Sequence, residues 1–147
     1  MSTGPSRGAS DMETSSTPWV KVTQPLIDGL VGLGGYTHAL FRPGPGGEPA
    51  PMPGQGVLLL MGGLVEQSGL LDDAIALLEL RSVRFRKLLK AGSSLRVQLT
   101  PGASETTGSG KIVRRYRWVA VDDAGDHIAE AVAVMLMRPG GRQGAEG

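Results

Sequence analysis

Tyr36 and His38 are the side chains best suited to chemistry, and they lie two residues apart in the segment LGGYTHALF. An imidazole has an ordinary pKa of about 6.5, so His38 could donate or accept a proton near neutral pH. The Tyr36 hydroxyl could donate a hydrogen bond to a carbonyl oxygen or an oxyanion. We predict both as catalytic residues. The alternatives are an ordinary loop histidine and a tyrosine that only forms part of a pocket wall.

A second candidate site lies where the apolar segment GQGVLLLMGGLVEQSG begins. The first backbone N–H groups of a helix have no partner inside the helix, so those near Gly54 and Gly56 could hold a carbonyl oxygen. We predict Gly54, Gln55 and Gly56, together with Phe41, as substrate-binding residues. Simple chain flexibility between loop and helix is the alternative reading of the two glycines.

Several classes of function lack the residues they require. The chain has no cysteine, two histidines and a net charge of +1, so we predict no metal site, no cofactor and no nucleic-acid partner. GSGKI at Gly108 lacks the rest of a phosphate-binding loop, and no Gly-x-Ser-x-Gly sequence is present. The longest apolar run is too short to span a bilayer, and the N-terminal residues have no apolar signal segment, which predicts a cytoplasmic protein without a membrane partner.

One strand combines basic and aromatic residues. Arg114, Arg115 and Arg117 alternate with Tyr116 and Trp118. A solvated strand face is the simpler reading, and contact with the phosphates of coenzyme A or of a pantetheine arm is the weaker option. The aspartates that follow, Asp122, Asp123 and Asp126, fit a hairpin turn, because calcium ligation needs a longer ordered loop.

Two helices precede the remaining strands. Thr23 is a plausible N-cap with Pro25 in the first turn, and Gly34–Gly35 ends this first helix. The second helix, Gln55 to Ser68, is apolar nearly all round, which predicts a buried helix. Gly62 and Gly63 each cost about 1 kcal/mol in a helix relative to Ala, which suggests close approach of the sheet or of a ligand chain.

Four strands follow the second helix. The stretch from Ala74 to Leu99 predicts two of them with a turn near Gly92, and the loop from Pro101 to Gly110 joins the second to the third. We predict disordered tails over residues 1–18 and 139–147, rich in Ser, Gly and Pro, around a single domain over residues 19–138.

The order strand, helix, loop, buried helix and four strands resembles the hotdog fold, specifically the MaoC-like hydratase/dehydratase family. The segment LLELRSVRFRKLLKAGSSLRV is similar to that family's strand pair: Phe85 and Gly92 match, Leu88 and Ala91 replace prolines, and Ser93 replaces an Asp. The resemblance implies an α+β hotdog fold, with a long central helix wrapped by a curved antiparallel sheet.

The family's catalytic loop has the pattern Leu-Thr-Gly-Asp-x-Asn-Pro-x-His, in which the Asp and His activate water. In this chain Leu33 and Gly35 match, Tyr36 takes the place of the Asp, His38 that of the Asn, and Phe41 that of the His. Neither Tyr36 nor Phe41 supplies a base at neutral pH.

The resemblance implies an acyl thioester of coenzyme A or of a carrier protein as substrate, and a homodimer or a heterodimer with another hotdog chain. It favours an enzyme, a hydratase/dehydratase or a derived biosynthetic lyase, in spite of the altered loop. A non-catalytic subunit or acyl-binding module that pairs with an active chain is the alternative. A thioesterase that uses Glu66 as nucleophile or base is a third, since some hotdog thioesterases use a helix carboxylate.

Overall fold

The computed structural model describes residues 13–139. Within them, two α-helices lie against a six-stranded antiparallel sheet. The elements are β1 (Ser15–Ser16), β2 (Val20–Lys21), α1 (Gln24–Gly34), α2 (Gly54–Gln67), β3 (Ala74–Phe85), β4 (Ser94–Thr106), β5 (Ile112–Asp122) and β6 (His127–Met137), with short 3₁₀ helices at Ala39–Phe41 and Pro45–Gly47.

Helix α1 has the two ends that its sequence predicts. The Thr23 hydroxyl accepts a hydrogen bond from the Leu26 N–H at 3.3 Å, and Pro25 lies in the first turn, where its missing N–H costs nothing. Gly35 ends the helix in the left-handed region, at φ 73°. The cap positions of α1 are therefore confirmed.

The strand order β1-β4-β5-β6-β3, with β2 also paired to β4, is that of the expected curved hotdog sheet. β3 and β4 follow one another in the sequence but are not neighbours, because β3 pairs with β6 at the opposite edge. The connection is anchored midway by the buried Leu89, whose carbonyl accepts from the Met52 N–H at 2.8 Å. The expectation of a strand pair around Gly92 is thus wrong in its pairing, although both strands exist.

Helix α2 packs on one face of the sheet. Val57, Met61, Leu64 and Val65 are buried there against apolar side chains of β4, β5 and β6. Leu59, by contrast, is 60% exposed. The prediction that α2 is buried all round is therefore wrong for the single chain, because no described element covers the side that carries Leu59.

The two glycines inside α2 do not mark a close approach. A Cβ built on Gly62 or Gly63 meets no heavy atom of the described residues within 4 Å. The reading of these glycines as a contact with the sheet is wrong, and the space beside them is open.

Two predicted boundaries also need correction. The expected N-terminal tail reaches too far, because Ser15–Ser16 pair with β4 and Thr17 donates its backbone N–H to Val97 at 2.9 Å. The expected loop over Pro101–Gly110 is mostly strand, because β4 continues to Thr106. Pro101 has no N–H to donate to the neighbouring strand, and the pairing of β4 with β5 shifts its register between Pro101 and Ser104. The rest of the two predicted tails, 1–12 and 140–147, lies outside the described residues.

Among residues 13–139, no helix combines the length and apolar character needed to cross a lipid bilayer.

Candidate functional site

Tyr36 is placed by the end of α1. Its backbone N–H donates to the Val31 carbonyl at 3.1 Å, just after the left-handed turn at Gly35. The ring then lies over Gly34, where an added Cβ would come within 2.6 Å of it. The small residue at position 34 therefore lets the tyrosine ring turn back along α1.

The Tyr36 side chain joins the loop to the start of α2. Its hydroxyl donates to the Gln55 side-chain oxygen at 3.1 Å. The Phe41 ring meets the Tyr36 ring edge-on, with centroids 4.9 Å apart and planes at 71°. Three of the predicted site residues, Tyr36, Phe41 and Gln55, thus form one contact group.

This group borders a small slot between α1 and the first two turns of α2, with a volume of about 150 Å³. We call it the α1–α2 slot, and it is mainly apolar with polar groups from Tyr36 and Gln55. It is lined by Leu30, Leu33, Gly34, Tyr36, Pro53, Gln55, Gly56 and Leu59.

The first turn of α2, from which Gln55 and Gly56 line the slot, offers free backbone donors. Pro53 occupies the N-cap and provides no side-chain cap, while its carbonyl accepts from the N–H groups of Gly56 and Val57. The N–H groups of Gly54 and Gln55 make no hydrogen bond to any residue between 13 and 139. These two donors are the ones that a carbonyl oxygen could take.

Both site glycines are closely surrounded. An added Cβ on Gly54 would lie 3.0 Å from the Phe85 ring, and one on Gly56 would lie 2.7 Å from the Met52 sulfur. A larger residue at either position would have to displace one of these side chains, which gives a packing reason for the two glycines beside the reading of simple chain flexibility.

His38 caps the 3₁₀ helix Ala39–Phe41. Its Nδ1 accepts from the Leu40 N–H at 2.9 Å, and the side chain is exposed. A neutral imidazole that accepts at Nδ1 carries its proton on Nε2. In this arrangement the Nε2–H of His38 can donate a hydrogen bond, and neither ring nitrogen is free to accept a proton.

Glu66 lies apart from the α1–α2 slot. It is exposed and borders a larger groove of about 410 Å³ between the C-terminal half of α2 and β3. The floor of this groove includes Trp118, which is 4% exposed and whose Nε1 has no hydrogen-bond partner among residues 13–139. No histidine lines this groove beside Glu66.

The basic-aromatic stretch of β5 is divided between two faces of the sheet. Tyr116 and Trp118 belong to the core under α2, whereas Arg115 pairs with Glu105 at 3.7 Å and Arg117 with Glu130 at 2.7 Å. Arg115 and Arg117 therefore lie on the face opposite to the aromatic rings. Arg114 shares the face of the rings, and its guanidinium carbon lies over the Tyr116 ring, 5.7 Å from the centroid.

The aspartates after β5 form the predicted turn. Asp122 accepts from the backbone N–H groups of Ala124 and Asp126, and Gly125 adopts φ 86°. In the described chain, no group of three or more His, Cys, Asp or Glu side chains could hold a metal ion.

Two walls of the slot are not among the residues predicted from the sequence. These are Leu30 and Leu33 of α1, and Leu33 is 84% exposed where it borders the slot. Helical periodicity identifies the apolar side of α1. It does not show how much of that side α2 covers.

No protein-family model and no curated protein matches this sequence significantly. Solved structures do match. A MaoC-like dehydratase from Rhodospirillum rubrum superposes with a TM-score of 0.73 at 16% identity, covering 86% of this chain and 91% of that one. The C-terminally truncated HadBC (3R-hydroxyacyl-ACP dehydratase) complex from Mycobacterium tuberculosis gives 0.66 at 16% identity, covering 86% of this chain and 97% of that one.

A third neighbour, Rv0216 from Mycobacterium tuberculosis, has a double hotdog fold. Its TM-score is 0.70 at 15% identity, over 87% of this chain and 42% of that one. At these identities the similarity concerns the fold. The chain therefore has the hotdog fold, the fold it shares with solved MaoC-like dehydratases.

Proposed function

We propose that this chain binds an acyl thioester in the α1–α2 slot, as a hotdog subunit without its own catalytic dyad. The observation that carries the proposal is the hydrogen bond from the Tyr36 hydroxyl to Gln55 beside the uncapped first turn of α2. The bond leaves the side-chain NH2 of Gln55 and the backbone N–H groups of Gly54 and Gln55 as hydrogen-bond donors for a carbonyl oxygen beside a mainly apolar slot, which is what thioester binding needs.

The same slot lacks a base. No carboxylate is among its lining residues, and Tyr36 and Phe41 stand where the resemblance implies an Asp and a His. His38 has its Nδ1 engaged by Leu40. Because hydration of an enoyl thioester requires a group that takes a proton from water, these contacts favour binding over turnover.

The open side of α2 supports a path for the acyl tail. Gly62 lies eight residues after Gly54, about 12 Å along the helix at 1.5 Å per residue, and it borders the larger groove. We propose that the tail extends from the α1–α2 slot along this side toward the groove beside Gly62.

The proposed partner is a second hotdog chain, identical or different, that pairs with β3. This strand is an edge of the sheet, since it pairs only with β6 in the described chain. It and the segment after it carry Ile75, Leu77, Leu78, Phe85 and Leu88, which are 47–61% exposed. An edge strand with exposed apolar side chains needs cover in water.

A hydratase/dehydratase is the second candidate. In that case the Tyr36 hydroxyl turns from Gln55 to donate a hydrogen bond to the thioester carbonyl, and the His38 Nε2–H donates a second one to the same oxygen. The base takes a proton from water and returns it to the α-carbon. The candidate rests on the geometry that leaves Nε2 as the free nitrogen of His38. It requires a base from another chain or from the substrate.

The test measures binding and turnover on the same preparation. The purified chain is titrated with crotonyl-CoA by calorimetry and assayed for crotonyl-CoA hydration, alongside Tyr36→Phe and His38→Ala. Saturable binding that Tyr36→Phe weakens, with no hydration, supports the binding function. Hydration of crotonyl-CoA that is lost in His38→Ala supports the hydratase function. If crotonyl-CoA binds neither the monomer nor any oligomer of the chain, both proposed functions are contradicted.

A further inference from the structure

The face of the sheet opposite to α2 carries an unusual number of arginines. Register places Arg81, Arg84, Arg96, Arg115 and Arg117 on this outer face, because each lies opposite an outward residue of the neighbouring strand. Buried valines, such as Val119 and Val134, lie among them. Of these arginines, Arg84 and Arg96 form no ion pair with residues 13–139, and Arg96 lies over the Trp19 ring, 4.6 Å from its centroid.

Glu130 is the central carboxylate of this face and is bound by two arginines. It accepts from Arg117 at 2.7 Å and from the Arg86 Nε at 2.9 Å, and its side chain is 13% exposed. Hydrogen bonds from Arg86 and then from Arg117 hold the pKa of Glu130 below its ordinary value, against the effect of burial. Its two oxygens are therefore fully engaged.

Arg84 lies directly opposite Glu130 in the β3–β6 register, yet it does not bond to that carboxylate. Within residues 13–139 it forms no ion pair and no hydrogen bond. Three guanidinium groups thus surround one carboxylate, which leaves two positive charges in excess on this part of the face.

The backbone beside Arg84 is strained. Between Arg81 and Arg84 the register with β6 shifts, and Ser82 adopts φ 52°, the one non-glycine residue between 13 and 139 with a positive φ. Such a conformation costs about 1 to 3 kcal/mol and is concentrated at ligand sites. The shift sets Ser82 and Arg84 at the edge of a cleft of about 200 Å³, lined by Ser82, Arg84, Arg117, Glu130, Ala131 and Val132.

We propose that this cleft binds a phosphoryl group. Arg84 and Arg117 can each donate N–H groups to an anion, and the Ser82 hydroxyl can donate from a third direction. A tetrahedral phosphoryl group has three oxygens to accept these bonds, whereas a planar carboxylate ligand has two. The cleft lies on the face opposite to α2 and the α1–α2 slot, so the inference is independent of the acyl-thioester proposal. The phosphoryl group belongs either to an inorganic anion or to a phosphate ester.

The test is a titration of the ¹⁵N-labelled full chain with inorganic phosphate, pyrophosphate and adenosine 5′-monophosphate, with adenosine and NaCl at matched ionic strength as controls. We expect saturable shifts of the amide signals of residues 82–84 and 130–132. Tighter binding of the monophosphate than of inorganic phosphate identifies an ester as ligand, and equal binding identifies the inorganic anion. Equal shifts with NaCl overturn the proposal.

Two variants that each remove one positive charge make the test specific. Arg84→Gln should weaken pyrophosphate binding by about tenfold, the value of a hydrogen bond to a charged group. Arg81→Gln is the control, because Arg81 lies on the same face but pairs with Glu79 at 2.8 Å, and it should change binding by less than about twofold. Equal losses in the two variants would show that only the overall charge matters and would contradict a site.

Glu130→Gln provides a change of opposite sign. The amide keeps an oxygen for Arg117 but removes the negative charge from the cleft. Pyrophosphate should therefore bind about fivefold more tightly, which is the effect on affinity of one nearby unit charge in water. A folded Glu130→Gln protein, judged by its circular dichroism, that binds pyrophosphate more weakly would overturn the proposal.

Discussion

The Tyr36 hydroxyl donates to the Gln55 side-chain oxygen at 3.1 Å, across 19 residues of sequence. This contact joins the loop after α1 to the first turn of α2. It also brings together, in one slot, the hydrogen-bond donors that could receive a thioester carbonyl.

A double-mutant cycle of Tyr36→Phe and Gln55→Ala measures this contact. Both partners are accessible to water, so we expect a coupling free energy of about 0.5 to 1 kcal/mol in urea unfolding. Phenylalanine keeps the edge-on contact with Phe41, so Tyr36→Phe alone should cost no more than this coupling free energy. Additive effects of the two substitutions would show that the hydrogen bond is not formed in solution.

Gly62→Ala and Gly63→Ala test the open side of α2. Because an added methyl group meets no described atom within 4 Å, each change should stabilise the isolated chain by about 0.5 to 1 kcal/mol through helix propensity. Thermal unfolding at low protein concentration measures this.

The same two variants separate an open surface from a ligand path. If the acyl tail passes Gly62, Gly62→Ala should weaken crotonyl-CoA or longer-chain acyl-CoA binding while it stabilises the chain. A destabilised Gly62→Ala protein at low concentration would mean that the helix is covered in the monomer.

Met61 and Leu59 form a matched pair on opposite sides of α2. Met61 is fully buried, so Met61→Ala should cost about 2 to 5 kcal/mol of unfolding free energy. Leu59 is 60% exposed, so Leu59→Ala should stay within about 0.5 kcal/mol in the monomer. Similar losses in the two variants would contradict the position of α2 on the sheet.

The lowered pKa of Asp122 predicts how the stability of the fold changes at acidic pH. Burial raises its pKa, but the hydrogen bond from Lys87 at 2.7 Å and the backbone N–H groups of Asp126 and Ala124 together lower it below the ordinary 3.8. A carboxyl group with a lowered folded-state pKa contributes stability above its unfolded pKa and loses that contribution as the pH falls through the folded value.

We therefore expect the free energy of unfolding to decrease at pH values below about 4, where carboxyl groups ordinarily become protonated. Asp122→Asn should reduce stability at pH 7 and flatten this acid dependence, as measured by urea unfolding between pH 3 and pH 7. An unchanged slope in the variant would show that Asp122 does not carry the effect. Asp123→Asn is the control, because among residues 13–139 the Asp123 carboxylate accepts only from the Ser94 N–H.

Local signals explain which elements the sequence predicts well. The ends of α1 depend on Thr23, Pro25 and Gly35, whose cap geometry is decided within a few residues. The same is true of the turn at Asp122–Gly125. The strand at Ser15–Ser16 was missed because its residues are polar and small, and it is held by backbone pairing to β4 rather than by apolar burial.

Long-range features could not be read in this way. Apolar spacing identifies α2 as a helix for the core but does not show that the side with Leu59 lacks a neighbour within the chain. Tyr36, Phe41, Gly54, Gln55 and Gly56 were all named as candidates from the sequence. That Tyr36 meets Gln55, and that His38 uses Nδ1 to cap a 3₁₀ helix, depends on tertiary geometry.

The most direct measurement of the acyl-thioester proposal is the map of amide shifts in the ¹⁵N-labelled chain on titration with crotonyl-CoA. We predict the largest changes at the N–H groups of Gly54 and Gln55 and around Tyr36, and smaller changes in Tyr36→Phe. Changes confined to other parts of the chain, or none at saturating ligand, would contradict it.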